Sequence, residues 1–456
     1  MPRQPDLLPR SKSPTIPVAN NHRLVHIADT LDWDELQQCA QQIRLGKLKN
    51  AAGQPPHLRA TLGAMVLMAT RKLTYREAED LIQYYAPARY LCGLTESNWT
   101  PDFTTIQDFT ELMGQEGIKL INRYVVQKAV RQKLADPTTV AADTTAQEAA
   151  IPYPNETQLM ASFLTSVARA ARKMGCGLRS FVQQTASQFK TAQQKAREYR
   201  LFAKTKESKD RVMSQMVTVV EKINQHLSDA LQAPAMQRAR LRKYAVVAKR
   251  KLTQLQETMG TLLPQIRYWI RTGYVASGKI VSLYIPRLYS IVRGKIGKPV
   301  EFGLTWGITR LRGGYLLATL ARDRHELHDD AFALRAITDH IELFGKAPLA
   351  YAYDRGGYSA ANVRALKKMG VKQVGLAPPG KTRWAVSHAV RDRLIKERAL
   401  VEAGIGSIKC PRYGFNRPAA RSVAMMGACG QRSVLGFNLN KLVRELARRK
   451  KMVLDG

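Results

Sequence analysis

Acidic residues are scarce in this chain of 456: 36 Asp and Glu stand against 72 Lys and Arg, a formal net charge of +36. So large an excess of one sign predicts a polyanionic partner. Nucleic acid is the commonest such partner; ribosomal RNA and anionic membrane surfaces are the competing readings. Long hydrophobic runs are also missing. None approaches the roughly 18 residues of a membrane-spanning helix, so no membrane partner is expected. The five cysteines (Cys39, Cys92, Cys176, Cys410, Cys429) are odd in number and lack C-x2-C spacing. They argue against a zinc site and suggest a reducing compartment. No repeat or low-complexity block is present. The Pro-rich, basic start has no apolar segment of the secretory kind.

What remains is a globular composition, 45% hydrophobic, long enough for two or three domains. Residues 1–27 read as a flexible basic leader and 28–135 as an all-α domain. Leu58, Leu62, Met65, Val66 and Ala69 recur at helical spacing. Thr74 with Glu77, and Thr104 with Gln107, have capping-box spacing. The bundle is either a helix-turn-helix DNA-binding unit or a structural one. Residues 136–154 hold a first strand, and 155–275 a basic helical insertion. Its Arg172, Lys173, Arg197, Arg200, Lys204 and Lys206 are candidate phosphate contacts, and Tyr199 and Phe202 read as core residues. From residue 276 to 425 the pattern turns to β-branched and aromatic segments separated by Gly and Pro. "KIVSLYIP", two longer strands, "PLAYAYD" and "VKQVGLAP" read as strands, with helices between and after the later ones. Asp329 or Asp330 would cap the first of these helices and Gly345 end it; Ser359 and Gly370 bound the next. Residues 426–456 form a basic amphipathic helix.

The segment "TTVAADTTAQE" ends a buried-looking strand on Asp143, and "PLAYAYD" ends another on Asp354. With the insertion set aside, the order β-β-β-α-β-α-β-α is that of an RNase H-like α/β domain. There the first and fourth strands are neighbours, so the two aspartates would meet. Crowded carboxylates are tolerable when a divalent cation sits among them. A third group is expected from the last helix of this domain, where Arg398, Glu402 and Lys409 are spaced R-x3-E-x6-K. Arg398 and Glu402 share a helix face, so the arginine would orient the carboxylate while Lys409 meets a phosphate. Glu397 is the rival on that helix. The run "RDRHELHDD" looks like a metal site but reads better as a solvated loop entering a helix, and His57 shows no chemical partner.

At this point the chain resembles the bacterial insertion-sequence transposases of the DDE type, whose catalytic helix carries Y-x2-R-x3-E-x6-K. Ile395 stands where their tyrosine would be. The likeness extends to "ADTTAQEAAIPYPNE", "SIVRGKIGKPVEFG", "YDRGGYS" and "GACGQRSVLGFNLNKL". It implies that Asp143, Asp354 and Glu402 are catalytic and hold two Mg2+ ions, with Mn2+ as a substitute. It further implies double-stranded DNA as partner, both transposon ends and target, a homodimer in the synaptic complex, and a cytoplasmic, nucleoid-associated location. Two alternatives stand beside it: a structure-specific nuclease of the same fold, and a non-catalytic DNA-binding descendant of a transposase.

Overall fold

A computed structural model describes residues 18–47, 57–174, 178–234, 236, 243–295, 298–321, 328–380 and 382–454. Most of the leader lies outside them. The protein is of mixed α/β class, mostly helical with one mixed sheet, and it divides into two compact units.

The first unit comprises Met1–Gln147, Leu304–Ala420 and Ala424–Gly456. It opens with six helices: α1 (Arg23–Thr30), α2 (Trp33–Lys47), α3 (Leu58–Thr70), α4 (Tyr75–Tyr84), α5 (Ala86–Leu91) and α6 (Phe103–Arg131). Helix α3 is apolar on every face and buried throughout 60–70, so the others pack around it. The Thr74–Glu77 capping box forms as expected, each side chain bonded to the other's backbone N–H. The second expected box does not form. Asp102 caps α6 instead, accepting from Thr105 N–H at 2.7 Å, and Gln107 bonds Glu111 at 2.8 Å. An aspartate just ahead of the helix competes better for the free N–H groups than a threonine already inside it. His57, before α3, stacks on Trp99 with ring centroids 4.1 Å apart.

The strands are β1 (Asp136–Glu148), β2 (Tyr289–Lys295), β3 (Lys298–Arg312), β4 (Leu316–Leu320), β5 (Ala350–Tyr353) and β6 (Gln373–Leu376). β1 lies between β3 and β5, and β6 lies beyond β5; the β1–β5 and β5–β6 pairs are parallel, and β4 pairs antiparallel with β3. Helices α11 (Asp329–Phe344), α12 (Ala360–Lys368), α13 (His388–Lys409) and α14 (Val423–Leu454) complete the unit. Gly345 ends α11 in the left-handed conformation, and Ser359 caps α12 by accepting from Asn362 N–H at 2.9 Å. Neither Asp329 nor Asp330 caps α11; His328 holds that position and both aspartates lie in the first turn, where the helix dipole favours them.

The "GQRSVLGFNLNKL" stretch has a structural task in α14. A Cβ on Gly436 would lie 1.8 Å from the Ala69 carbonyl oxygen, so α14 and α3 meet backbone to backbone there. Asn438 is fully buried: it accepts from Leu316 N–H at 3.0 Å and donates to the Leu316 carbonyl at 2.7 Å and to Asn122 at 2.8 Å. Gln431 donates to the Ala318 carbonyl at 2.9 Å. One helix thereby satisfies polar groups of β4 and α6 while packing closely on α3.

The second unit, Glu148–Gly303 with Arg421–Val423, contains α7 (Glu156–Met174), α8 (Arg179–Leu201), α9 (Lys206–Gln232) and α10 (Lys243–Thr272) around a core of its own. In this unit β2 pairs antiparallel with the leading part of β3. "KIVSLYIP" is not a strand. Its apolar Val281, Leu283 and Ile285 alternate in sequence, which mimics strand patterning, yet Ser282 between them is buried too and no strand lies alongside among the described residues. Gln265 of α10 stands in for one, accepting from Ile280 N–H at 2.9 Å and donating to the Gly278 carbonyl at 3.1 Å. Phe202 is also not a core residue: it is 71% exposed just past α8, whereas Tyr199 packs against the core.

Candidate active site

The site starts from the register of two parallel strands. Thr139 pairs with Ala350, Val140 with Tyr351 and Ala141 with Ala352. Continued at that offset, the register would set Ala142 opposite Tyr353 and Asp143 opposite Asp354, one residue past the end of β5. Strand β1 does not stop at Asp143, as its sequence suggested; it continues to Glu148 with Thr144, Thr145, Ala146 and Gln147 buried. The polar run is satisfied as strand: Gln147 donates to the Met426 carbonyl and accepts from the Trp306 indole, each at 3.0 Å.

Asp354, at the end of β5, accepts from Gly356 N–H at 2.9 Å and opens a short 3-10 turn, Arg355–Gly357. Asp329 comes to the same place from the start of α11. Its carboxylate accepts from the Thr144 hydroxyl at 2.6 Å, and a Cβ on Gly356 would lie 2.4 Å from its Oδ2. Glycine is therefore required at Gly356 for the approach. Burial and then Asp329 push the Asp354 carboxyl above its ordinary range, against the pull of Gly356 N–H and of Arg398. Tyr351 and Tyr353 are fully buried in β5, and neither hydroxyl has a hydrogen-bond partner among the described residues. Burial, with Asp143 and Asp354 among the lesser causes, raises both phenols well above their usual range. The carboxylates thus stand beside a dry, low-dielectric wall, where like charges repel strongly.

Helix α13 buries Leu394, Val401, Ile405 and Ile408 as one stripe. At 3.6 residues per turn, Arg398, Glu402 and Lys409 fall on one flank of that stripe and Glu397 on the other. Arg398 donates to Glu402 at 3.1 Å and acts electrostatically on Asp354, while its Nε is buried without a partner. Lys409 is the last residue of the helix. Ile395 is 45% exposed. Glu397 is committed elsewhere, bonding Arg310 at 2.8 Å and Arg312 at 3.1 Å in a mostly buried bridge to β3. The two glutamates should therefore respond oppositely. Glu397→Gln is expected to destabilise the fold by about 2–4 kcal/mol by leaving buried arginine charge unpaired. Glu402→Gln should change stability by no more than about 0.5 kcal/mol, its pair being exposed, yet abolish cleavage. Thermal unfolding and a cleavage assay on the two variants check this.

The structure sets Asp143 and Asp354 on neighbouring parallel strands, Asp354 one residue past the end of β5, and adds Asp329. Glu402 lies on α13, engaged by Arg398, and is not grouped with the two aspartates. Among the described residues no three His, Cys, Asp or Glu side chains are grouped as for a metal ion. Of the "RDRHELHDD" run, residues 322–327 lie outside the described residues. The sequence signals for Asp329 were its place at a helix start and in the "RDRHELHDD" run, which reads as a solvated loop rather than part of a site. The six basic residues of the insertion are all exposed but form two groups. Arg172 and Lys173 end α7, whereas Arg197, Arg200, Lys204 and Lys206 flank the α8–α9 connection, roughly 30 Å away along α8.

Residues 14–112 match a family described as "Transposase domain (DUF772)". No curated protein and no solved structure matches the chain. The family match supports a transposase in general, and so a DNA-processing enzyme. It covers the N-terminal helices as far as the first part of α6 and ends before β1. No helix among the described residues is long and apolar enough to cross a membrane.

Proposed function

We propose that the protein is a DDE transposase with an RNase H-like catalytic domain, which cuts DNA at transposon ends and joins them to a target. The observation that supports this reading is the β1–β5 register, whose offset, continued past its last pair of Ala141 with Ala352, would set Asp143 opposite Asp354. The strand neighbours, with β1 between β3 and β5, are those of the RNase H-like order, and the family match at the N-terminus supports the same class.

The donor chemistry suits Mg2+. Asp143 and Asp354 offer oxygen ligands only, and the Asp354 carboxyl, raised by burial and then by Asp329, is one whose charge a hard divalent cation would stabilise. Asp143, Asp354 and Glu402 would hold two Mg2+ ions, or Mn2+ in their place. Bound there, the metal would activate the attacking hydroxyl and stabilise the leaving oxygen of an in-line phosphodiester displacement. The chain's own contribution is positioning. The parallel register fixes Asp143 and Asp354 relative to each other, and Asp329, through Thr144, holds the backbone next to Asp143. Arg398 orients Glu402, and Lys409 lies on the same flank to meet a phosphate of the strand. The exposed arginines and lysines of the insertion would grip duplex DNA by its backbone.

A strand-transfer assay with labelled ends in Mg2+ tests the reading. Joined product is the expected result. Nicks without joining would make it a nuclease of the same fold, and binding without either would make it a DNA-binding protein only.

A further inference from the structure

A second concentration of charge lies away from the carboxylates. Beyond Lys409 the chain passes through Arg412 and Tyr413, and these, with α1 and α14, bound a cavity of about 710 Å3. Arg23 and His26 reach it from α1, and Asn440 and Arg444 from α14. A neighbouring cavity of about 510 Å3 shares His26, Val443 and Ala447 with it and adds Arg449 and Lys450. Together they form a trough along α14 with no aspartate or glutamate in its lining.

Lys441 is paired with Glu445 at 2.5 Å, and Arg449 bonds the Gln132 and Lys133 carbonyls at 2.6 and 2.9 Å. Arg23, Arg412 and Arg444 make no ion pair or hydrogen bond among the described residues. Burial, and then Arg412, Arg71 and Arg444, pull the half-buried Arg23 guanidinium below its ordinary range. Like charges gathered without a counter-ion are an unfavourable arrangement unless an anion completes it. Asn440 adds an independent sign. It is 9% exposed; its Nδ2 meets Tyr413 Oη at 3.2 Å, and its Oδ1 has no partner. With the amide turned over, Tyr413 would donate to it and a free N–H would remain for an acceptor.

We propose that this trough binds the phosphodiester backbone of one DNA strand, with Arg23, Arg412 and Arg444 as its phosphate ligands. The choice of DNA as the source of the phosphates rests on the function proposed above; the anion chemistry does not. From Asn440 to Lys450 the trough runs about 15 Å along α14, room for about two or three successive phosphates of one strand. Helix α13 links it to the carboxylates, since Arg398 and Glu402 lie two to three turns before its end at Lys409.

The test compares full-length wild type with an Arg23→Gln/Arg444→Gln double variant and with Arg412→Gln, whose side chain is exposed and not needed for folding. Duplex affinity is read by fluorescence anisotropy across salt concentrations, with pyrophosphate as competitor. The double variant should bind at least about tenfold more weakly, with a log–log salt slope smaller by about two, and Arg412→Gln smaller by about one. Melting temperatures should match wild type. Unchanged affinity and slope in folded variants, with cleavage and joining intact, would overturn the trough alone. Wild type that binds pyrophosphate through these arginines but no DNA would overturn both the strand assignment and the proposed function.

Discussion

Asp354→Asn protein is expected to bind DNA as tightly as wild type and to cut it at least about a thousandfold more slowly, about 4 kcal/mol of barrier. The change removes one charge and keeps the shape: an amide oxygen can still accept from Gly356 N–H. It also removes a repulsion. Because burial and Asp329 raise the Asp354 carboxyl in the folded protein, folding binds its proton more tightly than the unfolded chain does. That contribution favours the fold below the unfolded value and turns against it as pH rises through the window up to the raised one. In metal-free buffer at neutral pH the variant should therefore melt no lower than wild type. Added Mg2+ should raise the melting temperature of wild type and not of the variant. Cleavage retained within tenfold of wild type would remove Asp354 from the chemistry. Asp330→Asn, one residue from Asp329 but exposed, is the control and should cut normally.

The largest effect on stability is expected at Gly436→Ala. One methyl group would have to share space with the Ala69 carbonyl oxygen, 1.8 Å away, and backbone cannot swing aside as a flexible side chain can. Helix α14 must move off α3, which also strains the Asn438 bonds to Leu316 and Asn122 two residues later. A loss of about 3 kcal/mol or more follows from overpacking plus weakened buried hydrogen bonds. Gly406→Ala is the matched comparison. It lies in α13 with nothing within 4 Å of the added Cβ, so it should stabilise by about 0.5–1 kcal/mol through helix propensity alone. Denaturant midpoints of the two variants should move in opposite directions.

Where local chemistry decides, the sequence was readable. The Thr74–Glu77 box, the Ser359 cap and the Gly345 terminus need only a few adjacent residues, and all three form. The two strands carrying aspartates were legible because their apolar runs are short and uninterrupted, and strand order then made them neighbours. Failures came where a distant group satisfies the backbone or fills the space. Gln265 substitutes for a partner strand beside 279–286, and Trp306 with Met426 lets β1 run on as buried strand past Asp143, where the sequence ended it. Asp329 joins the carboxylates through a bond to Thr144 that no local pattern announces. Arg23, Arg412 and Arg444 come together only through packing, so composition could reveal the charge but not its gathering in one trough.

The first unit is assembled from three separated stretches of chain, and α14 supplies both the seat for α3 and the buried amide that ties β4 to α6. On the ribosome those early helices must wait for a partner translated after every other described element, while the inserted helical unit has all of its long helices much sooner. Newly made protein therefore passes through a stage in which the long helices of the basic insertion are already made while the sheet-bearing unit still lacks the helix that seats α3.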